Sequence, residues 1–267
     1  MSQDRPLISV IIPTYNRAWC LARAVDSVLE QDYRPLELIV VDDGSEDETR
    51  QLLRPWVESG RLAGLRQPNR GVGAARNAGI RASRGPLIAF LDSDDEWLAG
   101  KLSAQEKYLR DHPEAVLVQT QERWLRQGRR VNPGRRHLKK AGDLFIDSLA
   151  LCLISPSAVM LRRSLLEEVG LFDERLAAAE DYDLWLRVLA RYPAHLIDRE
   201  LLIRHGGRPD QLSAGPALDR YRIMALEKIL RQPLDPVRRR AAEEELARRR
   251  RIYEAGRRKR LPAESRE

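Results

Sequence analysis

Four short apolar runs in the first hundred residues, at 7–12, 36–41, 62–67 and 87–91, alternate with segments of helical period. Runs this short and this continuously apolar suit strands covered on both faces, which is the condition of a parallel sheet. Helices are expected between them at 18–31, with Leu21, Val25, Val28 and Leu29 on one face, at 46–58 and at 72–82. Strand, helix and parallel strand connect with a right-handed crossover, so this alternation confines the chain to an α/β architecture. In such sheets ligands bind beyond the carboxyl ends of the strands. The residues after each run are therefore the ones to inspect.

The second half carries strand patterns at 116–123, 158–161 and 195–204 and helix patterns at 143–151 and 181–190, with further helices from Leu218 onward. No internal repeat is visible. The expected division is a main domain over 1–215, split into a nucleotide-side half of about 1–97 and an acceptor-side half of about 98–215. A helical basic extension follows over 216–267.

A 267-residue chain that is 43% hydrophobic can bury a sizeable core without staples. Cys20 and Cys152 are too few and too far apart for a disulfide framework or a cysteine zinc site, which points to a reducing compartment. The first twelve residues show no basic leader or small-residue cleavage site, and apolar stretches break at Pro13, Asp42 and Asp92. None reaches the roughly 18 to 20 apolar residues of a membrane span. A cytoplasmic location is the expectation.

The net charge of +7 is concentrated at one end, since residues 233–267 hold 12 Lys/Arg against 7 Asp/Glu. With no zinc-finger spacing or RNA-binding aromatic signature, this does not read as a nucleic-acid surface. Two readings of the tail stay open. One is a solvated helix in which Glu243 to Glu245 pair with Arg248 and Arg249. The other is contact with an anionic membrane face that brings the protein to a lipid-linked acceptor.

Three strand ends carry chemistry: Pro13-Thr14-Tyr15-Asn16-Arg17, Asp42-Asp43-Gly44-Ser45 and Asp92-Ser93-Asp94-Asp95. Asp92 and Asp94 offer hard oxygen donors suited to Mg²⁺ or Mn²⁺ with positions left for diphosphate oxygens. Asp43 can accept a hydrogen bond from a base N–H, and Tyr15 offers a face for stacking. The plain alternatives are a solvated acidic loop for the first and a turn with a helix cap for the second. Gly71-Val72-Gly73-Ala74-Ala75-Arg76 lacks the third glycine of a dinucleotide fingerprint, so NAD is not expected.

Together with Val10-Ile11-Ile12, Gly71 to Asn77, Phe90-Leu91, Trp97 and Glu180-Asp181-Tyr182-Asp183-Leu184-Trp185, these motifs closely resemble, in order, family 2 glycosyltransferases of the GT-A fold. The match covers roughly residues 6 to 215. The resemblance implies a Rossmann-like, mostly parallel sheet flanked by helices. It further implies inverting transfer from a UDP-sugar to a glycan, lipid-linked or small-molecule acceptor, in cell-surface polysaccharide or glycoconjugate synthesis. By the same resemblance Asp43 binds uracil, Asp92 to Asp94 contact ribose and metal, and Asp181 is the catalytic base with Glu180 in support. Pro13, Thr14, Tyr15, Arg17, Arg76, Asn77, Asp92 and Ser93 fall on the donor side, and His205 in His205-Gly206-Gly207-Arg208 is a further candidate for holding metal or diphosphate. A single displacement needs one carboxylate to take the acceptor proton and one cation to meet the charge on the departing diphosphate. The alternatives are a catalytically degenerate module that binds a nucleotide-sugar or a partner, and a nucleotide-sugar pyrophosphorylase. The latter expects a glycine-rich basic loop where this chain has Pro13 to Arg17.

Overall fold

The computed structural model describes residues 5–132, 134, 137–207 and 218–260, with side chains to Arg257. Residues 1–4, Arg208, the expected boundary between 215 and 216, and residues 261–267 of the tail lie outside the described residues.

The four apolar runs form β1 (Ile8–Thr14), β2 (Leu36–Asp42), β3 (Ala63–Arg66) and β4 (Leu87–Phe90). They pair in parallel in the order β3-β2-β1-β4. Every residue of β1 and β4 is buried, which is why both runs lack polar alternation. The crossovers are α1 (Ala18–Leu29), α2 (Thr49–Glu58) and α3 (Val72–Ala82). In α1 the buried face is Cys20, Leu21, Ala24, Val25, Ser27 and Val28, with Leu29 at its rim.

Past β4 the sheet continues through β8 (Val159–Arg162), β6 (Leu117–Arg126), β9 (His195–Gly206) and β5 (Glu96–Trp97), with β7 (Arg129–Val131) beside β6. Because β8 is antiparallel to both β4 and β6, and β9 is parallel to β6, six of the nine strands among the described residues share one direction and β5, β7 and β8 oppose it. One core lies on the α1 side of the sheet, with Leu21, Val25, Leu53 and Leu102. The larger core, with Ile80, Phe145, Leu165, Trp185 and Leu226, lies on the other. Two helices have no counterpart in the apolar pattern. In α4 (Lys101–Asp111) the buried face is Lys101, Leu102, Gln105, Glu106 and Leu109, mostly polar, so periodicity is silent there. The other, α6 (Arg163–Val169), is only seven residues long.

The last helices, α8 (Leu218–Ile229) and α9 (Pro236–Arg260), pack on α5 (Phe145–Ala150) and α7 (Glu180–Leu189). Ala225, Leu226, Ile229, Ala242 and Leu246 belong to the larger core. Two tail arginines, Arg238 and Arg249, reach back onto the body, while Arg240, Arg248, Arg250, Arg251 and Arg257 are exposed. Arg238 bonds the Ala190 carbonyl and Asp143, and Arg249 bonds Glu245, Asp219 and the Ala150 carbonyl. Arg250 reaches Glu227, and Arg248 pairs with Glu245.

Gly79, inside α3, lets that helix lie against β1: a Cβ there would stand 2.5 Å from Ile11 Cγ2. Ile11 is fully buried and has nowhere to move. Alanine normally favours a helix interior by about 1 kcal/mol over glycine. Gly79→Ala is nevertheless expected to destabilise by about 1–3 kcal/mol through overpacking, checked by urea denaturation.

Candidate functional site

The three loops open on one edge because their strands run parallel, with Thr14 opposite Asp42 and Ile11 opposite Phe90. The first two are sewn together. Asn16 N donates to Ser45 Oγ at 2.9 Å, and Asn16 Oδ1 accepts from Glu46 N at 2.8 Å, with Asn16 itself left-handed at φ 52°. Gly44 turns at φ 84° with Asn69 N only 2.8 Å from where a Cβ would sit, so no other residue fits that approach. Thr14 is buried behind Pro13, whereas Tyr15 is 42% exposed and Arg17 stands at the start of α1. An exposed aromatic face above a strand end is what base stacking requires.

Asp43 is buried and organises the loop between β3 and α3. Its Oδ1 accepts from Gln67 Nε2 at 2.7 Å and Arg70 N at 3.0 Å, and its Oδ2 accepts from Gly71 N at 2.8 Å. A carboxylate oxygen can take two hydrogen bonds, so Oδ2 retains capacity for a ligand N–H.

The acidic loop after β4 is anchored at both ends by Ser157, a residue the sequence did not single out. Asp92 N donates to Ser157 Oγ at 3.1 Å, and Trp97 Nε1 donates to the Ser157 carbonyl at 2.8 Å. Ser93 is buried within the loop. Burial, then the neighbouring Asp92, pushes the Asp94 carboxyl above the usual range, and burial with Asp94 pushes Asp95 well above it. Such crowding of hard oxygens suits a divalent cation, which would relieve it. Asp92 spends Oδ1 on Arg76, and among the described residues Oδ2 takes no hydrogen bond. His205 does arrive beside this loop, its backbone N donating to Asp95 Oδ1 at 3.3 Å, but its Nε2 lies 3.6 Å from Glu96 Oε2. Among the described residues no three His, Cys, Asp or Glu side chains converge as a ready metal cage. The carboxylate pair fits the ion, and His205 is not assembled with it as a third ligand.

The opposite wall is the start of α7. Ala179, the residue before it, is left-handed at φ 60° and buried, an uncommon conformation for a residue with a Cβ. Glu180 and Asp181 then occupy the first helical turn. Glu180 Oε1 meets Arg76 Nη1 at 2.5 Å, while Arg76 Nη2 meets Asp92 Oδ1 at 2.7 Å. Arg76 is buried, with its Cζ 5.2 Å from the centre of the Phe172 ring. Burial works against its charge, but Asp92 and Glu180 raise its pKa overall. Gly73 makes room for this meeting, since a Cβ there would stand 3.3 Å from Glu180 Cγ. Asp181 Oδ1 accepts from Tyr182 N at 2.7 Å, and Oδ2 accepts the Cys152 thiol at 3.7 Å. Asn77, expected on the donor side, instead exchanges two hydrogen bonds with the Phe172 backbone and donates to Glu174.

Burial pushes the Glu180 carboxyl up to about 7 against the pull of Arg76. A carboxyl whose folded pKa is raised contributes stability that is complete below its unfolded pKa and is lost as pH climbs through the folded one. The melting temperature is therefore expected to fall between about pH 5 and pH 7 by more in the parent than in Glu180→Gln, which cannot titrate there. Parallel slopes would remove the assignment.

The model of glycosyl transferase family 2 matches residues 9–170. An uncharacterised glycosyltransferase of Rickettsia prowazekii (strain Madrid E) is 33% identical over 204 residues, which is 74% of this chain and 63% of that protein. The chain thus spans less than two thirds of that relative. The Escherichia coli UDP-Glc:alpha-D-GlcNAc-diphosphoundecaprenol beta-1,3-glucosyltransferase is 32% identical over 189 residues, 70% of this chain and 71% of its own length. Among solved structures, S. aureus TarS 1-349 in complex with UDP-GlcNAc superposes with a TM-score of 0.77 at 21% identity, covering 96% of this chain and 76% of its own. A mannosyltransferase of Pyrobaculum calidifontis in complex with GDP-Man and Mn²⁺ gives 0.70 at 22% identity, over 94% and 73%. These likenesses confirm the expected GT-A architecture.

Proposed function

Because the chain belongs to glycosyl transferase family 2, we propose that it moves a sugar from a nucleotide diphosphate donor, UDP-linked in our reading, to an acceptor hydroxyl with inversion at the anomeric carbon. One observation carries this above the others: Arg76 ties Glu180 to Asp92, so the helix bearing Asp181 and the acidic loop face each other as one unit. A site that must align an attacking hydroxyl with a departing diphosphate needs that rigidity.

In this reading Tyr15 stacks on the base and Asp43 accepts its N–H, with Pro13, Thr14, Arg17 and Ser93 shaping the pocket. Asp181 takes the acceptor proton as the oxygen attacks the anomeric carbon, and the nucleoside diphosphate leaves from the opposite face. Glu180 positions Asp181 through Arg76 and does not itself move the proton. A Mg²⁺ or Mn²⁺ ion held by Asp94 and Asp92 would supply the positive charge that meets the departing diphosphate. The acceptor we assign is a sugar hydroxyl of a glycan or lipid-linked carrier, the class named for the E. coli relative.

Thermal shift with nucleotide sugars, in Mn²⁺ and in EDTA, tests this. A donor at a hundred times its Kd is expected to add about 2.7 kcal/mol with metal, and less in chelator. Asp94→Asn is expected to abolish the metal-dependent part while the apoprotein melts unchanged. The absence of any donor-dependent shift would remove the reading. A protein that binds donor yet neither transfers nor hydrolyses it is instead the binding module that the sequence left open.

A further inference from the structure

Arg204 holds a guanidinium in this cleft for which no role has been given. It lies on β9 opposite Trp124 of β6, with its Cζ 5.2 Å from the centre of the Trp124 ring. Its side chain is 38% exposed, and the nearest carboxylate, Glu122 Oε2, stands 3.7 Å from Nη1, beyond hydrogen-bond distance. Glu122 is already committed. Its Oε1 takes Lys139 Nζ at 2.9 Å and the Ser155 hydroxyl, and its Oε2 takes Trp124 Nε1 at 2.9 Å. Despite burial, Lys139 and Arg204 hold its carboxyl down to about 2. Glu122 thus spends its hydrogen bonds on Lys139, Ser155 and Trp124, and Arg204 meets it only as a looser ion pair.

Among the described residues the Arg204 side chain makes no hydrogen bond, so five N–H donors stand unspent on a guanidinium set over the Trp124 ring. Its charge is felt at both walls of the site, by Asp94 and Asp95 on one side and by Asp181 on the other. A planar fork with free donors between those walls matches a phosphate oxyanion, which it can grip through two parallel hydrogen bonds.

We propose that Arg204 is a phosphate-binding residue of this site, gripping a diphosphate oxyanion through its unspent guanidinium donors. The inference rests on the nucleotide-sugar reading above. The oxyanion has two sources, the donor's own diphosphate or the diphosphate of a carrier-linked acceptor, and the experiment separates them.

Titration calorimetry of UDP, UMP and uridine on the parent, Arg204→Met and Arg204→Lys, with unchanged apoprotein melting as the folding control, forms the first arm. If the donor supplies the phosphate, Arg204→Met is expected to weaken UDP by about ten- to a hundredfold. Uridine should change less than threefold, and Lys should restore only part of the loss because a point charge lacks the fork. The second arm compares KM for an alkyl-diphosphate-linked sugar with that for the neutral alkyl glycoside of the same sugar. A rise confined to the diphosphate acceptor, with UDP unaffected, assigns the acceptor as the source. UDP affinity and both KM values within threefold of the parent in either variant would overturn the proposal. Should Arg204→Met fail to fold, Arg204→Lys alone carries the same comparison. Parent protein that binds neither UDP nor GDP would instead remove the nucleotide-sugar reading itself.

Discussion

Asp181→Asn is expected to lower turnover by about 10² to 10⁴-fold while donor affinity stays nearly constant, because only the proton-accepting oxygen is lost. The geometry favours Asp181 over its neighbour. Glu180 is buried and its Oε1 is spent on Arg76, whereas among the described residues Asp181 Oδ2 is met by a thiol at 3.7 Å, a weak donor that leaves its lone pairs largely available. Single-turnover measurements with saturating donor would separate the chemical step from binding. Turnover within tenfold of the parent would exclude Asp181 as the base, and if Glu180→Gln were then the inactive variant, the proton would go to Glu180.

Removing the guanidinium that joins the two walls is expected to be the most damaging change to stability. Arg76→Met leaves Glu180, with 6% of its side chain exposed, as a buried acid without its cation, and frees Asp92 from its anchor. Breaking a buried pair from one side costs about 3–5 kcal/mol where the remaining carboxylate stays charged, and Glu180, whose carboxyl burial already pushes up to about 7, relieves part of that cost as falling pH protonates it. Urea denaturation with an unchanged slope would report this as a stability loss alone. Adding Glu180→Gln to Arg76→Met is expected to recover part of it, since the orphaned charge is then gone and the two changes are coupled. Strict additivity of the two substitutions would mean the pair is not a unit. Arg76→Lys is expected to rescue poorly, because one ammonium cannot fork between carboxylates on two different elements.

Much of the donor half was legible before any coordinates. β1, β4 and most of β2 are buried and so leave continuous apolar runs, whereas the edge strand β3 is mostly exposed, and α1 carries an apolar stripe; α3 was expected at 72–82 and is Val72–Ala82. Residues that follow buried parallel strands must gather at one sheet edge, which is why Thr14, Asp43 and Asp92 could be grouped from one dimension. Helices covered by polar residues or only a few residues long, α4 and α6, left no periodic trace.

What the chain alone determined is therefore whatever a local pattern encodes: the alternation of elements, the strand ends and the types of side chain placed there. Pairings between distant residues were decided only by the tertiary structure. Arg76, read from the sequence as a donor-side residue, ties Asp92 to Glu180, the latter 104 residues away. Asn77 turned to the Phe172 backbone, Ser157 took both ends of the acidic loop, and in a tail whose arginines are mostly exposed, Arg238 and Arg249 closed onto the carbonyls of Ala190 and Ala150. The physical reason is the same in each case. A guanidinium, an amide or a hydroxyl has no period in sequence, and when it is buried its partner is whichever acceptor the packing of separate elements brings within hydrogen-bond reach.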